Sequence, residues 1–151
     1  MYHNIGKPPK GAKLKTLYTK PQALRRQIKA LKLLGYEFAK SEGIKQGGSK
    51  KVLLTFDDAY LDFWENALPI LVEEKVSALV FVPAGLVGKF NEWDYQKLNV
   101  IKPIMDWNHI RELVRYGIEI GSHSLTHPFL SKIPPKEAKR EIEDSKKLLE
   151  D

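Results

Sequence analysis

The stretch LLTFDDAY, residues 53–60, closes an apolar run with two adjacent acids. Successive strand residues point to opposite faces. Asp57 and Asp58 can therefore share a site only where the strand ends and the backbone turns. With 51–56 read as a buried strand, both acids fall at its carboxyl end. Taken alone, such a pair serves equally well as an Asx-turn or a helix cap.

Working outward, strand and helix patterns alternate. MYHNI at the start reads as a short strand, and residues 1–20 as an extended lead-in. Residues 20–34 predict a helix, with Leu24, Ile28 and Leu31 on one stripe, Pro21 near its start and Gly35 as its stop. KQGGSK at 45–50 reads as a turn. Beyond the acids, a helix is expected from about Asn66 as N-cap, with Pro69 in its first turn. SALVFVPAG, residues 77–85, is a second continuous apolar strand, and 86–104 a loop carrying Trp93, Asp94 and Tyr95. Asp106 would cap a helix to Tyr116, with Ile110, Leu113 and Val114 inward and Gly117 ending it. IEIGSH, 118–123, is a third strand. The helix at 134–151 would turn Ala138, Ile142, Leu148 and Leu149 inward. Near-continuous apolar strands separated by helices predict a parallel sheet in an α/β protein. Ligands in such folds sit at the carboxyl ends of the strands.

The second informative stretch is GSHSLTHPF, residues 121–129, at another strand end. His123 and His127 are four apart, so one helical turn would aim both imidazoles the same way. Two His and one carboxylate form a common ligand set for a hydrolytic zinc with open positions. The His pair alone is more often a surface feature. Its combination with an Asp pair at a second strand end is the stronger signal. The chain has no cysteine, so any metal must be held by His, Asp or Glu.

Length and composition fit one soluble domain: 151 residues, 42% hydrophobic and 29% charged. No apolar run reaches the roughly 18 residues of a membrane span, and MYHNIGKPPKG lacks the apolar core of a signal peptide. The net charge of +6 is uneven: residues 1–50 balance at +10 and the remainder at −4. This reads as a solvated Lys-rich face, with an anionic polymer or membrane surface as the alternative. Aromatics are not interleaved with the basic residues, which argues against nucleic acid.

TFDDAY and HSLTH, in this order with a strand–helix–strand unit between them, resemble the first two motifs of the polysaccharide deacetylases. These are the NodB-homology enzymes of carbohydrate esterase family 4. The resemblance covers most of the chain, and MYHNIG is similar to the start of members acting on poly-N-acetylglucosamine. It implies a distorted (β/α), TIM-like barrel of the NodB type. It also implies a metal-dependent hydrolase removing N-acetyl groups from an N-acetylglucosamine polysaccharide, hence acting on carbon–nitrogen bonds other than peptide bonds. Carried over by residue, Asp58, His123 and His127 would hold one divalent ion, with zinc the first choice. Asp57 would be the general base that takes a proton from water held by that ion. A carboxylate bound to a cation is a poor base, which supports separate jobs for the two acids. A carbohydrate polymer substrate and a cell-wall or extracytoplasmic setting are further implications.

The sequence departs from the family at two places. Ala59 stands where the family usually has Gly, so the turn should avoid a glycine-only conformation. No Arg-x-x-aromatic-Pro segment follows HSLTH, and no residue matches the family's acid histidine. Residues 1–151 are therefore expected to form the N-terminal part of an incomplete barrel, with one free strand edge inviting self-association. Such a chain should bind metal and deacetylate poorly. His109 reads as a surface or cap residue, and His3 as structural, with an approach to the barrel mouth from the first strand as its alternative. Trp93, Asp94 and Tyr95 are candidates for a sugar-stacking edge, or for loop packing over the rim. Phe63 and Trp64 read as core rather than cleft. Two rival functions remain: hydrolysis of a small amide or ureide, and non-catalytic metal or glycan binding.

Overall fold

The computed structural model describes residues 1–45 and 50–150. The strands are β1 (Asn4–Ile5), β2 (Tyr18–Thr19), β3 (Glu37–Phe38), β4 (Lys51–Val52), β5 (Thr55–Phe56), β6 (Leu79–Val82) and β7 (Glu119–Ser122). The helices are α1 (Pro21–Leu33), α2 (Ser41–Lys45), α3 (Leu68–Glu74), α4 (Tyr95–Leu98), α5 (Trp107–Arg115) and α6 (Pro135–Glu150). All paired strands run parallel, as the strand–helix alternation predicts: β1 with β2, β3 with β4, and β5–β6–β7 in that order. Tyr2 bridges Phe56 and so joins the opening strand to β5. The fold is α/β, but among the described residues the sheet does not close into a barrel, and β7 pairs only with β6.

The β6 run is apolar because it is the central strand. Ala78, Val80 and Val82 are fully buried, whereas Leu79 and Phe81 are only half-buried. Register explains the difference. Val82 lies beside Ser122, whose hydroxyl meets Ser145 of α6, so this face is covered by a helix. The opposite face carries Glu119, whose carboxylate caps α2 through the Ser41 N–H and hydroxyl. Gly121 is required on that face, since a Cβ would stand 2.8 Å from the Phe81 ring.

Several local expectations change. The chain is already helical at Leu61, so Asn66 is not an N-cap. Its side-chain amide instead donates to the Ile5 carbonyl at 2.8 Å, tying this helix to β1. Pro69 has no N–H to continue the α ladder, and the turn before it, Phe63–Ala67, widens to π geometry. Phe63 is buried core, as expected, and Trp64 packs partly buried against it. Asp106 does cap α5, accepting from the His109 N–H at 2.9 Å. Ile110 and Leu113 turn inward, but Val114 is 60% exposed, because the buried stripe of this short helix is only one turn wide. The loop 86–104 contains α4 and is organised by buried Asn91, which bonds Asp94, Val100 and Lys102.

The largest correction concerns α6. Ile142 is 53% and Leu148 42% exposed, and the one fully buried residue of the helix is Ser145. Its inward face runs Ala138, Glu141, Ser145, Leu149, a helical spacing. Polar side chains occupy the middle of that face because they bond the sheet and the loop beyond β7. The turn expected at 45–50 falls largely on residues 46–49, outside the described residues.

Candidate metal centre

The turn after β5 shows how adjacent acids come to share one end of the sheet. The Asp57 N–H donates to the Tyr2 carbonyl at 2.9 Å, the last sheet contact of the strand. Asp58 and Ala59 then take left-handed φ values of 71° and 51°. Ala59 thus adopts the left-handed region that glycine favours but that other residues can enter at a cost. The left-handed region strains a residue with a Cβ by about 1–2 kcal/mol. Burial of Ala59 and its carbonyl bond to the Met105 N–H at 3.0 Å hold it there.

HSLTH is not a helical turn. Ser124 and His127 are both left-handed, at φ 63° and 62°. The His127 N–H donates to Ser124 Oγ at 3.0 Å, closing the loop and still aiming both imidazoles one way. On one side the loop hangs on the segment after β6: the Ala84 and Gly85 N–H groups donate to the Ser124 and Leu125 carbonyls at 3.1 and 2.8 Å. This approach needs a glycine, because a Cβ on residue 85 would lie 2.9 Å from the Leu125 carbonyl oxygen. Gly85→Ala should therefore push the loop out and destabilise the fold by about 1–3 kcal/mol. Denaturant unfolding measures the loss; an unchanged midpoint would contradict this account.

The loops bring Asp58, His123 and His127 together. Asp58 Oδ1 lies 3.5 Å from His123 Nε2 and 3.3 Å from His127 Nε2, and the two Nε2 atoms are 3.0 Å apart. All three ligand-type atoms fall within 4.8 Å of one another. Burial acts to raise the Asp58 carboxyl, but hydrogen bonds from His123 and His127 overcome it and hold the group well below the usual carboxylate range. Burial disfavours the His127 cation, yet bonding to Asp58 more than offsets it and raises that imidazole. Two nitrogen lone pairs and a buried carboxylate oxygen converge on one point. That donor set suits a divalent ion of the zinc type, with coordination positions left over.

Asp57 is not in this cluster. Its Oδ2 lies 3.8 Å from His3 Nε2 on the opening strand. The structure thus sends the two acids to different partners, and it places beside Asp57 the imidazole of His3, for which the sequence favours a structural role over an approach to the barrel mouth. The available signal was positional: MYHNI reads as a strand, and a polar residue within a strand parallel to β5 would share its carboxyl end. His109 stays apart, bonded to Asp106 through Nδ1 at 2.8 Å and packed edge-on against Trp64.

Trp93 lies in the site, stacked on the His127 ring at 4.4 Å and 25° and near-parallel to Tyr60 at 6.3 Å. Tyr60, which the sequence reading did not single out, is buried beside Asp58. Burial, then the Asp58 charge, pushes its hydroxyl well above the usual range, so it stays a proton donor. Burial likewise raises the Asp94 carboxyl. Tyr95 packs edge-on against Phe90, at 5.4 Å, rather than on the His pair.

Comparison with known proteins matches this arrangement to a family. The family model described as Polysaccharide deacetylase matches residues 44–151. A Bacillus subtilis protein named as a polysaccharide deacetylase, YxkH, is 30% identical over 106 residues, 70% of this chain and 34% of its own. The chitooligosaccharide deacetylase of a Bradyrhizobium species is 31% identical over 96 residues, 63% of this chain and 36% of its own. The chain therefore spans about a third of the length of these relatives. Among solved structures, IcaB from Ammonifex degensii superposes with a TM-score of 0.80 over 99% of this chain and 66% of its own, at 22% identity. No helix among the described residues is long and apolar enough to cross a membrane. With both motif loops inside the matched region, the chain belongs to the polysaccharide deacetylase family.

Proposed function

We propose that this chain carries the reactive centre of a metal-dependent N-deacetylase acting on an N-acetylglucosamine polymer. One observation carries the proposal: the adjacent acids part company, Asp58 to the His123–His127 pair and Asp57 to His3. The family and the chitooligosaccharide relative support an N-acetylated sugar as substrate. Asp58, His123 and His127 would hold the ion, zinc before others. When bound, it supplies Lewis-acid polarisation of the acetamide carbonyl and of a water. Asp57, near the ligands but with its oxygens free of them, takes the proton of the attacking water. His3, 3.8 Å from Asp57, would give a proton to the departing amine. The products are acetate and a free amino sugar. Trp93, stacked on His127, fixes the plane of that imidazole, and the outer rim of its ring is the candidate sugar contact; Tyr95 is the weaker one. We further infer that residues 1–151 belong to one NodB-type domain, with 1–20 as its extended lead-in. Among the described residues β7 pairs only with β6, and its other edge would offer a route to self-association, which light scattering on the protein reads directly.

The test is acetate release from chitooligosaccharides, before and after chelation and on restoring zinc. Release that persists through chelation would overturn the metal reading. A protein that binds zinc and these sugars without turnover would be a binding module instead. Affinity for the ion carries a sign with pH. Asp58 raises His127 in the metal-free protein, and a protonated imidazole cannot ligate. The proton must leave first, so affinity should fall by up to about tenfold per pH unit below the raised His127 value. Titrations with zinc from pH 5 to 8 measure this; affinity independent of pH would remove His127 from the ligand set.

A further inference from the structure

We propose that Glu141 of α6 is a positioning residue for the two imidazoles, so that docking of α6 and metal binding are coupled. The proposal rests on the metal reading above. Glu141 Oε2 accepts from the backbone N–H groups of Leu125 and Thr126 at 2.9 and 2.8 Å, and Oε1 accepts from Thr126 Oγ1 at 2.7 Å. These residues lie between His123 and His127. The segment after β6 takes the loop's carbonyls, and Glu141 takes its amides. One carboxylate with three short bonds locks the middle of a loop that has two left-handed residues and no regular ladder of its own. Charge-assisted bonds to backbone N–H groups are the strong class, and groups that hold metal ligands in place tune affinity as the ligands do.

The same helix makes a second tether. Ser145 Oγ lies 2.6 Å from Ser122 Oγ, one residue before His123. Ser122 Oγ also accepts from the Ser124 N–H at 3.2 Å. With Ile142 and Leu148 exposed, these polar contacts share the seating of α6 with Leu149, which packs against the core. Coupling is reciprocal: a loop fixed by a bound ion holds Glu141, and therefore α6, more firmly.

Glu141→Ala should lower zinc affinity about 10–100-fold while the unfolding transition stays cooperative. Glu141→Gln should recover most of that loss. Its carbonyl oxygen can accept both N–H bonds, and its amide can donate to Thr126 Oγ1. Cobalt(II) spectra should show the ligand geometry altered in Glu141→Ala and restored in Glu141→Gln. Hydrogen exchange gives an arm that needs no activity. Zinc should increase protection across Pro135–Glu150 in the wild type and not in Glu141→Ala. If the alanine variant does not fold, Glu141→Gln and Thr126→Val decide. The latter removes only the hydroxyl bond and should weaken zinc less than tenfold, in keeping with one tether lost of three. Wild-type zinc affinity in Glu141→Ala, or no zinc effect on α6 exchange in the wild type, overturns the coupling. A wild-type protein that takes up no zinc overturns the metal reading with it, so the two failures are told apart.

Discussion

Asp57→Asn should leave bound zinc at the wild-type level and lower deacetylation by about 10²–10⁴-fold. The substitution keeps size and shape and removes the proton acceptor. Its effect should fall on kcat, because the lost interaction belongs to the transition state. Asp58→Asn should do the reverse in order: zinc leaves first, and activity with it. Asp58 Oδ1 faces both imidazoles at 3.3–3.5 Å, while Asp57 Oδ2 faces His3. Metal analysis after dialysis, paired with acetate release, separates the two acids. Zinc lost from Asp57→Asn and retained in Asp58→Asn would exchange their roles.

The grouping of Asp58 with His123 and His127 was legible because both motifs fall at strand ends: TFDDAY and HSLTH each hold their polar residues within five positions, and a parallel sheet brings strand ends together. The reason the acids diverge was not legible. It depends on left-handed φ at Asp58 and Ala59, and nothing in an Asp-Asp-Ala string announces that conformation when glycine is absent. The inward face of α6 was misread for a related cause. Apolar residues mark a buried face only when burial is what the contact is for. Here the contact satisfies the amides of the loop between His123 and His127, so Glu141 and Ser145 face inward while Ile142 and Leu148 stay exposed. Asn66 misled in the same way: a residue suited to capping spends its amide on the Ile5 carbonyl, a partner 61 positions away.

His3 was the residue furthest from legibility, since 54 positions separate it from Asp57 and only strand pairing joins them. Its variant supplies the second large expected effect. His3→Gln should lower deacetylation of N-acetylated sugars by about 10²–10⁴-fold, with zinc content and unfolding midpoint unchanged. The chemistry behind this is leaving-group basicity. A departing amine must gain a proton before the carbon–nitrogen bond breaks, whereas a phenolate can leave without one. An acetate ester of a phenol should therefore be hydrolysed by His3→Gln nearly as fast as by the wild type, while Asp57→Asn should fail on both substrates. The bond network predicts the same split. His3 reaches the site from the segment just before β1, whose backbone holds Asp57 through the Tyr2 carbonyl, so glutamine can keep that segment in place without supplying an acid. Equal losses on amide and aryl ester would show that His3 supports the geometry of Asp57 rather than the departing amine. An unchanged rate on the amide would remove His3 from the reaction.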